Sequence, residues 1–369
     1  MSERRIDDYD IVIVGAGPAG SAAAIHIGNL SPETARRTLV LEKAVFPRPK
    51  LCGGGITPHA DALLHALKVH PDVPSVPIHA ARFVYRDVGF CLRWKNLFRV
   101  VRREEFDAAL ASFVMQRGAA LHQNEALVDY RQEADGLDVI TDQASYRAKI
   151  LVGADGANSL VRKKLGLVRS DRISRLLEIL TPVEADRTPE FTEHTAVFDF
   201  SPMADGVQGY YWDFPSLKQG AAVMNRGLFD SRVHPERPRA DLKRVFEAAL
   251  ERRSVELDHL QGHPERWYDA RMRNSAPHIV LAGDAAGTEP LLGEGISHAL
   301  NFGMVAAESA LRALRLGDYS FRDYDRRVRW SALGSRLRFK RRIAQVLYWG
   351  KGAWFYRLGF GLIGLVLGE

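Results

Sequence analysis

The stretch from Tyr9 to Gly20 constrains this 369-residue chain more than any other. A β-branched run, Tyr9 to Val14, enters Gly15-Ala16-Gly17-Pro18-Ala19-Gly20, and small residues continue from Ala19 to Ile27. A strand that turns at once into a helix through three glycines opens a parallel βαβ unit. With no Cβ at the turn, backbone N–H groups approach a phosphate closely, and the positive end of the helix dipole faces it. Thr38 to Leu41 reads as the second strand, and Glu42 closes it 22 residues beyond Gly20, where a carboxylate accepts hydrogen bonds from a ribose. Gly15, Gly17, Ala19, Gly20, Glu42 and the adjacent Lys43 are therefore candidates for gripping one half of a dinucleotide.

This motif alone leaves NAD and FAD equally open, and two later segments favour FAD. In Val152-Gly153-Ala154-Asp155-Gly156-Ala157-Asn158-Ser159 a strand again ends in a tight turn, with Ser159 and Arg162 in the first turn of the next helix. Gly283-Asp284 follows the buried strand His278 to Ala282, which sets the Asp284 carboxylate at a strand end to accept from a ribityl hydroxyl. Gly293-Glu294-Gly295 then leads into a long helix, Ile296 to Leu314, whose N-terminal dipole favours negative charge on a reduced flavin ring.

Between these segments the pattern changes. Lys43 to Thr57, with Pro47, Pro49 and Gly53-Gly54-Gly55, reads as an irregular loop, and Phe83 to Tyr85 and Phe90 to Leu92 as short strands of a separate sheet. Arg103 to Arg117 has helical spacing, and Leu127 to Tyr130 with Leu137 to Ile140 reads as a hairpin. From about 176 to 227 strands dominate, with Ala196 to Phe200, Tyr210 to Phe214 and Ala221 to Asn225 the clearest, before a helix at about 240 to 252. The expected fold is α/β. A Rossmann-type domain of residues 1–75, 95–170 and 270–320 is interleaved with a mainly antiparallel sheet domain of 76–94 and 171–269. C-terminal helices follow in 321–369.

The formal charge of +6 is concentrated in that tail, where eleven Lys and Arg face three acids. Cations there precede the aromatics Tyr348, Trp349, Trp354, Phe355 and Tyr356 and then the apolar run Leu358 to Gly368. This order fits a segment lying on an anionic membrane surface, although the run is only about half of the ~20 residues a span requires. The other reading is a pair of helices packed on the body with Arg on the wet face. No nucleic-acid motif accompanies the charge, no metal-ligand cluster stands out, and two cysteines with a charged N-terminus point to a reducing cytoplasm.

These residues make the chain resemble the FAD-dependent superfamily of aromatic hydroxylases, halogenases and geranylgeranyl reductases over about residues 8 to 315. The resemblance implies a glutathione-reductase-like FAD domain in which Gly15, Gly17, Gly20 and Glu42 hold the ADP half. It also implies that Arg103, standing before Phe106-Asp107, contacts the flavin nucleotide. Asp155 with Gly156 corresponds to an Asp-Gly motif, and Gly283 with Asp284 to a Gly-Asp motif. Three further segments resemble the geranylgeranyl reductase branch. Pro49-Lys50-Leu51-Cys52-Gly53-Gly54 is similar to its Lys-x-Cys-Gly-Gly loop beside the flavin. Tyr210-Tyr211-Trp212-Asp213-Phe214-Pro215 is similar to its tunnel-lining Tyr-x-Trp-x-Phe-Pro strand. Gly287 to Ile296, with Pro290, Gly293, Gly295 and Ile296, is similar to its Gly-x-x-Pro-x-x-Gly-Glu-Gly-Ile turn.

Read physically, a strand from Tyr210 to Pro215 puts the rings of Tyr210, Trp212 and Phe214 on one face, which makes an apolar wall or ordinary sheet core. The resemblance implies reduction of an isoprenoid C=C by hydride from flavin N5, with a proton from Cys52 or from an ordered water. NADPH, a ferredoxin or another flavoprotein would then reduce the FAD. Other readings on the same scaffold are a monooxygenase or halogenase, a membrane-associated electron carrier to quinone, or a flavin-bound assembly factor. Phe214 stands where a halogenase has Ile in Trp-x-Trp-x-Ile-Pro, which argues against that branch.

Overall fold

Two sheets, each of eight strands, organise the chain. The computed structural model describes residues 7–167, 172–257, 259–349 and 353–367. In the first sheet the strand Asp7–Val14 runs parallel to Thr38–Glu42 on one side and to Ser145–Gly153 on the other. Ala120–Gln123 extends the parallel set beyond Thr38–Glu42, and Ile279–Leu281 extends it beyond Ser145–Gly153. Ile11, Val12, Ile13, Leu39 and Val40 are fully buried, as expected of a parallel sheet covered on both faces. The hairpin Leu127–Glu133 and Gly136–Thr141 pairs onto Ser145–Gly153.

The helices Pro18–Leu30 and Ile296–Leu316 pack closely because their contact is built from small residues. A Cβ on Gly303 would lie 2.3 Å from the Ala19 carbonyl oxygen. The glycines of the three turns also fix how those turns meet. Gly15, at φ +98°, has no room for a side chain beside the Ala154 carbonyl, 2.4 Å from an ideal Cβ. Gly283, at φ +59°, would place a Cβ 2.7 Å from that of Ala19. Glycine is the one residue that tolerates both the positive φ and this approach, so the turns converge through backbone contact.

The second sheet runs in the order Gln261–Arg266, Ile173–Pro182, Ala221–Asp230, Gly209–Lys218, Thr195–Asp199, Ser75–Tyr85, Val88–Val101 and Gly55–Ile56. It is antiparallel except where Thr195–Asp199 meets Ser75–Tyr85. The short strands expected near Phe83 and Phe90 are in fact two long arms, Ser75–Tyr85 and Val88–Val101. The middle of the second arm, Arg93 and Lys95 with Trp94, is exposed, so the sequence there lacks the alternation that marks a half-buried strand. The loop expected from Lys43 to Thr57 yields one pair of residues, Gly55–Ile56, to this sheet. The helix Leu242–Glu251 covers one face, with Phe246 against Tyr211.

The tail forms three helices, Tyr324–Trp330, Ala332–Leu347 and Ala353–Leu367. Tyr324, Val328, Leu333 and Leu337 join the core of the first sheet, while Ala344, Tyr348, Tyr356 and Phe360 join that of the second. The tail is therefore docked on the body. Its outer side nevertheless leaves Trp330 70%, Phe339 64%, Val346 65% and Trp354 68% exposed. Among the described residues no helix is long and apolar enough to cross a membrane.

Candidate functional site

One cavity of about 850 Å³ runs from the glycine turns of the first sheet to the concave aromatic face of the second. The residues named from the sequence as cofactor or substrate contacts line it except Gly20, Pro215 and Pro290, and Ser159 and Arg162 of the second turn do not reach it. A Cβ on Gly20 would meet the Gly15 carbonyl at 1.8 Å, so this glycine lets the first turn close. Strand alternation turns Pro215 to the side shared with Tyr211 and Asp213, under the covering helix. Pro290 is buried in a turn whose N–H groups, at Leu291, Leu292 and Glu294, donate to the Glu289 carboxylate.

At the polar end, Glu42 accepts from the N–H of Ala16 at 3.1 Å and of Ala44 at 3.2 Å, which ties the end of the second strand to the first turn. Arg48 bridges Glu42 and Asp107, 3.4 Å from each, and lies across Gly17. Arg103 makes a two-pronged pair with Asp107, at 2.7 and 2.8 Å, and lies beside the Cys52 thiol. Asp155 Oδ2 accepts from Leu160 and Val161 at the start of the short helix Leu160–Lys164, while Oδ1 is buried with no partner. Burial pushes the Asp155 carboxyl up, and these hydrogen bonds oppose the shift. Three backbone turns, an acid beside the first, and a buried carboxylate oxygen in want of a donor suit a polyhydroxylated dinucleotide such as FAD.

Cys52 is held from three sides. Its N–H donates to Glu178 Oε2 at 2.6 Å, its carbonyl accepts from Asn225 Nδ2 at 2.8 Å, and its sulfur accepts from the Gly54 N–H at 3.4 Å. Asn225 in turn accepts from Trp212 Nε1 at 3.0 Å, so the loop and the aromatic strand share one buried amide. Burial lifts the Glu178 carboxyl to about 7, against the pull of Arg102 and the Cys52 N–H.

The apolar end is made by Tyr210, Trp212 and Phe214 with Phe83, Phe98 and Phe198. Trp212 lies opposite Gly227, and a Cβ there would be 2.1 Å from the indole, so the glycine makes room for the ring. On the same face of the sheet, at its edge, the strand Gln261–Arg266 turns Gln261, His263 and Glu265 inward. Lys50 contacts His263, and burial followed by the Lys50 charge brings this imidazole down to about 4.

The turn before the long helix is fastened to the tail. Lys340 pairs with both Glu289 and Glu294, the Tyr348 hydroxyl donates to the Leu291 carbonyl, and the Tyr210 hydroxyl donates to the Leu292 carbonyl at 2.6 Å. Burial raises Glu294, but Lys340 and His298 outweigh it and hold the carboxyl at about 2.

Sequence reasoning missed Arg48, Glu178, Asn225, His263 and Glu265. Each is an ordinary polar residue of a loop or strand that only the fold carries to the cavity or to the Cys52 loop. The one available signal was that Gln261, His263 and Glu265 alternate.

The FAD binding domain family matches residues 93–309. Digeranylgeranylglycerophospholipid reductase 2 of Methanopyrus kandleri is 30% identical over 335 residues, covering 85% of this chain and 79% of that protein. A menaquinone reductase of Mycolicibacterium smegmatis is 30% identical over 318 residues, covering 81% and 75%. A solved structure of a geranylgeranyl bacteriochlorophyll reductase-like protein from Thermoplasma acidophilum shares the fold, with a TM-score of 0.80 at 21% identity over 98% of this chain and 92% of that one.

Proposed function

This chain belongs to the geranylgeranyl reductase family of FAD-binding oxidoreductases, and from that premise we propose that it hydrogenates C=C bonds in the isoprenoid chain of a lipid. The observation that carries the reading is the continuity of the cavity: a polar cradle of backbone turns opens directly onto a wall of Tyr210, Trp212 and Phe214. Relatives are named for a digeranylgeranylglycerophospholipid and for menaquinone. Both molecules carry a polyisoprenoid chain, the part that an apolar wall recognises.

Bound FAD supplies the hydride. The chain's own residues do the rest. Gly15, Gly17, Asp155 and Asp284 hold the dinucleotide at the polar end, with Glu42, Arg48 and Arg103 around it. The aromatic wall orients the prenyl chain and excludes water, which is where a flavoenzyme's protein part contributes most. Cys52, held by Glu178 and Asn225, gives its thiol proton to the second carbon of the double bond.

The tail is the membrane-facing side in this reading. Exposed Trp330, Phe339, Val346 and Trp354 stand among exposed Arg329, Arg336 and Arg342, a mixture of rings and cations that suits an anionic lipid interface. The test of the reaction is direct. The FAD-loaded protein, reduced with dithionite under argon, is given geranylgeranyl lipids, and mass spectrometry is expected to show a gain of two hydrogens per reduced bond. No gain with any prenyl lipid would overturn the reading.

A further inference from the structure

Glu265 is the one cavity group that the reaction as described leaves unused and the structure leaves uncompensated. It is 9% exposed, its Oε2 has no hydrogen-bond partner, and no described cation forms an ion pair with it. It lies against the turn that enters the long helix: a Cβ on Gly293 would be 3.1 Å from Oε2, and one on Gly295 would be 3.3 Å from Oε1. The titratable groups that face it are Asp284 beyond the strand Ile279–Leu281, Glu289 in the turn, and Cys52 and Lys50 in the loop opposite. Two carboxylates oppose its ionisation, and of these groups Lys50 alone favours it.

A carboxylate without a partner in such a place is strongly disfavoured, so the group keeps its proton instead. Burial, then Asp284 and Glu289, hold the carboxyl well above the usual range. An acid that stays loaded at neutral pH inside a reaction cavity is a proton source rather than a structural ion pair.

Building on the prenyl reductase reading, we propose that Glu265 is the proton store of the cavity, reloading Cys52 after each reduced double bond. The Cys52 S–H bond breaks as a C–H bond forms at one alkene carbon; the hydride for the other carbon, and with it the two electrons that consume the π bond, would come from bound reduced FAD. The Glu265 O–H bond then breaks as the S–H bond is restored, directly or through cavity water. Solvent returns a proton to the carboxylate past Lys50 and His263, which lies on the same strand face. Glu265 thus acts through Cys52 and need not touch the lipid.

The test is E265Q in the FAD-loaded chain, which keeps the shape and removes the acid. Infrared spectroscopy at neutral pH is expected to show the C=O stretch of a protonated carboxylic acid in the parent, absent in E265Q; a spectrum unchanged by the substitution overturns the proposal. With chemically reduced protein and a geranylgeranyl lipid, multiple turnover is expected to slow about 100-fold in E265Q, and the alkaline fall of the parent's pH profile is expected to vanish. E265Q in a C52S background should be no slower than the slower single variant, because the two groups act in series. A multiplicative loss, or a parental rate in E265Q, overturns the relay. If the parent reduces no prenyl lipid, the reading of the reaction fails, while the infrared band still decides whether Glu265 holds a proton.

Discussion

Replacing Asn225 with Leu tests the link between the aromatic strand and the Cys52 loop. Asn225 is fully buried and uses both ends of its amide, accepting from Trp212 Nε1 and donating to the Cys52 carbonyl. Leucine keeps its γ-branched shape and can do neither. Each buried partner left unsatisfied costs about 1–3 kcal/mol. The indole N–H, on a residue 2% exposed, takes the full penalty, whereas the carbonyl of half-buried Cys52 recovers part of it from cavity water. N225L is therefore expected to lose about 2–4 kcal/mol in urea denaturation. In a W212F background the indole donor is already gone, so the same substitution should cost about 1–3 kcal/mol less. Equal costs in the two backgrounds, or a cost within about 0.5 kcal/mol of zero, would refute the shared-amide argument.

Two further outcomes follow from the same geometry. Burial raises Glu178 from an ordinary 4.5 to about 7, so its contribution to stability is complete below 4.5 and is lost as pH climbs through about 7. That window is worth about 3 kcal/mol; unfolding free energies across a pH series should fall there for the parent and stay flatter for E178Q, and parallel curves would count against the assignment. Sedimentation with vesicles rich in anionic lipid should capture the chain at low salt, and replacing Trp330, Phe339 and Trp354 with Ser should release it; equal capture by zwitterionic vesicles, or no effect of the three substitutions, would remove the tail from the membrane reading.

How much of this was legible in the sequence depended on whether a signal was local. The three turns were readable because a strand, glycines at fixed spacing and a helix start lie within a few residues of one another, and the structure brings them together through Gly15 against Ala154 and Gly283 against Ala19. The aromatic alternation of Tyr210, Trp212 and Phe214 was equally local. Glu178, Asn225 and Glu265 gave no such sign. A charged or amide residue in a strand reads as solvent-facing by default; only the folding of the Cys52 loop onto the second sheet, more than a hundred residues away in sequence, covers Glu178 and Asn225, and only the turn at Gly293 and Gly295 lies over Glu265. The arm Val88–Val101 was underestimated for the related reason that its exposed middle breaks the period.

The most direct measurement mixes the anaerobically reduced, FAD-loaded protein with a geranylgeranyl lipid in a stopped-flow spectrophotometer. The account predicts that flavin absorbance returns without oxygen, at the rate at which saturated carbons appear in quenched samples, and that W212A slows both together. A flavin that stays reduced beside the lipid and reoxidises only when oxygen and an aromatic compound are added would contradict it.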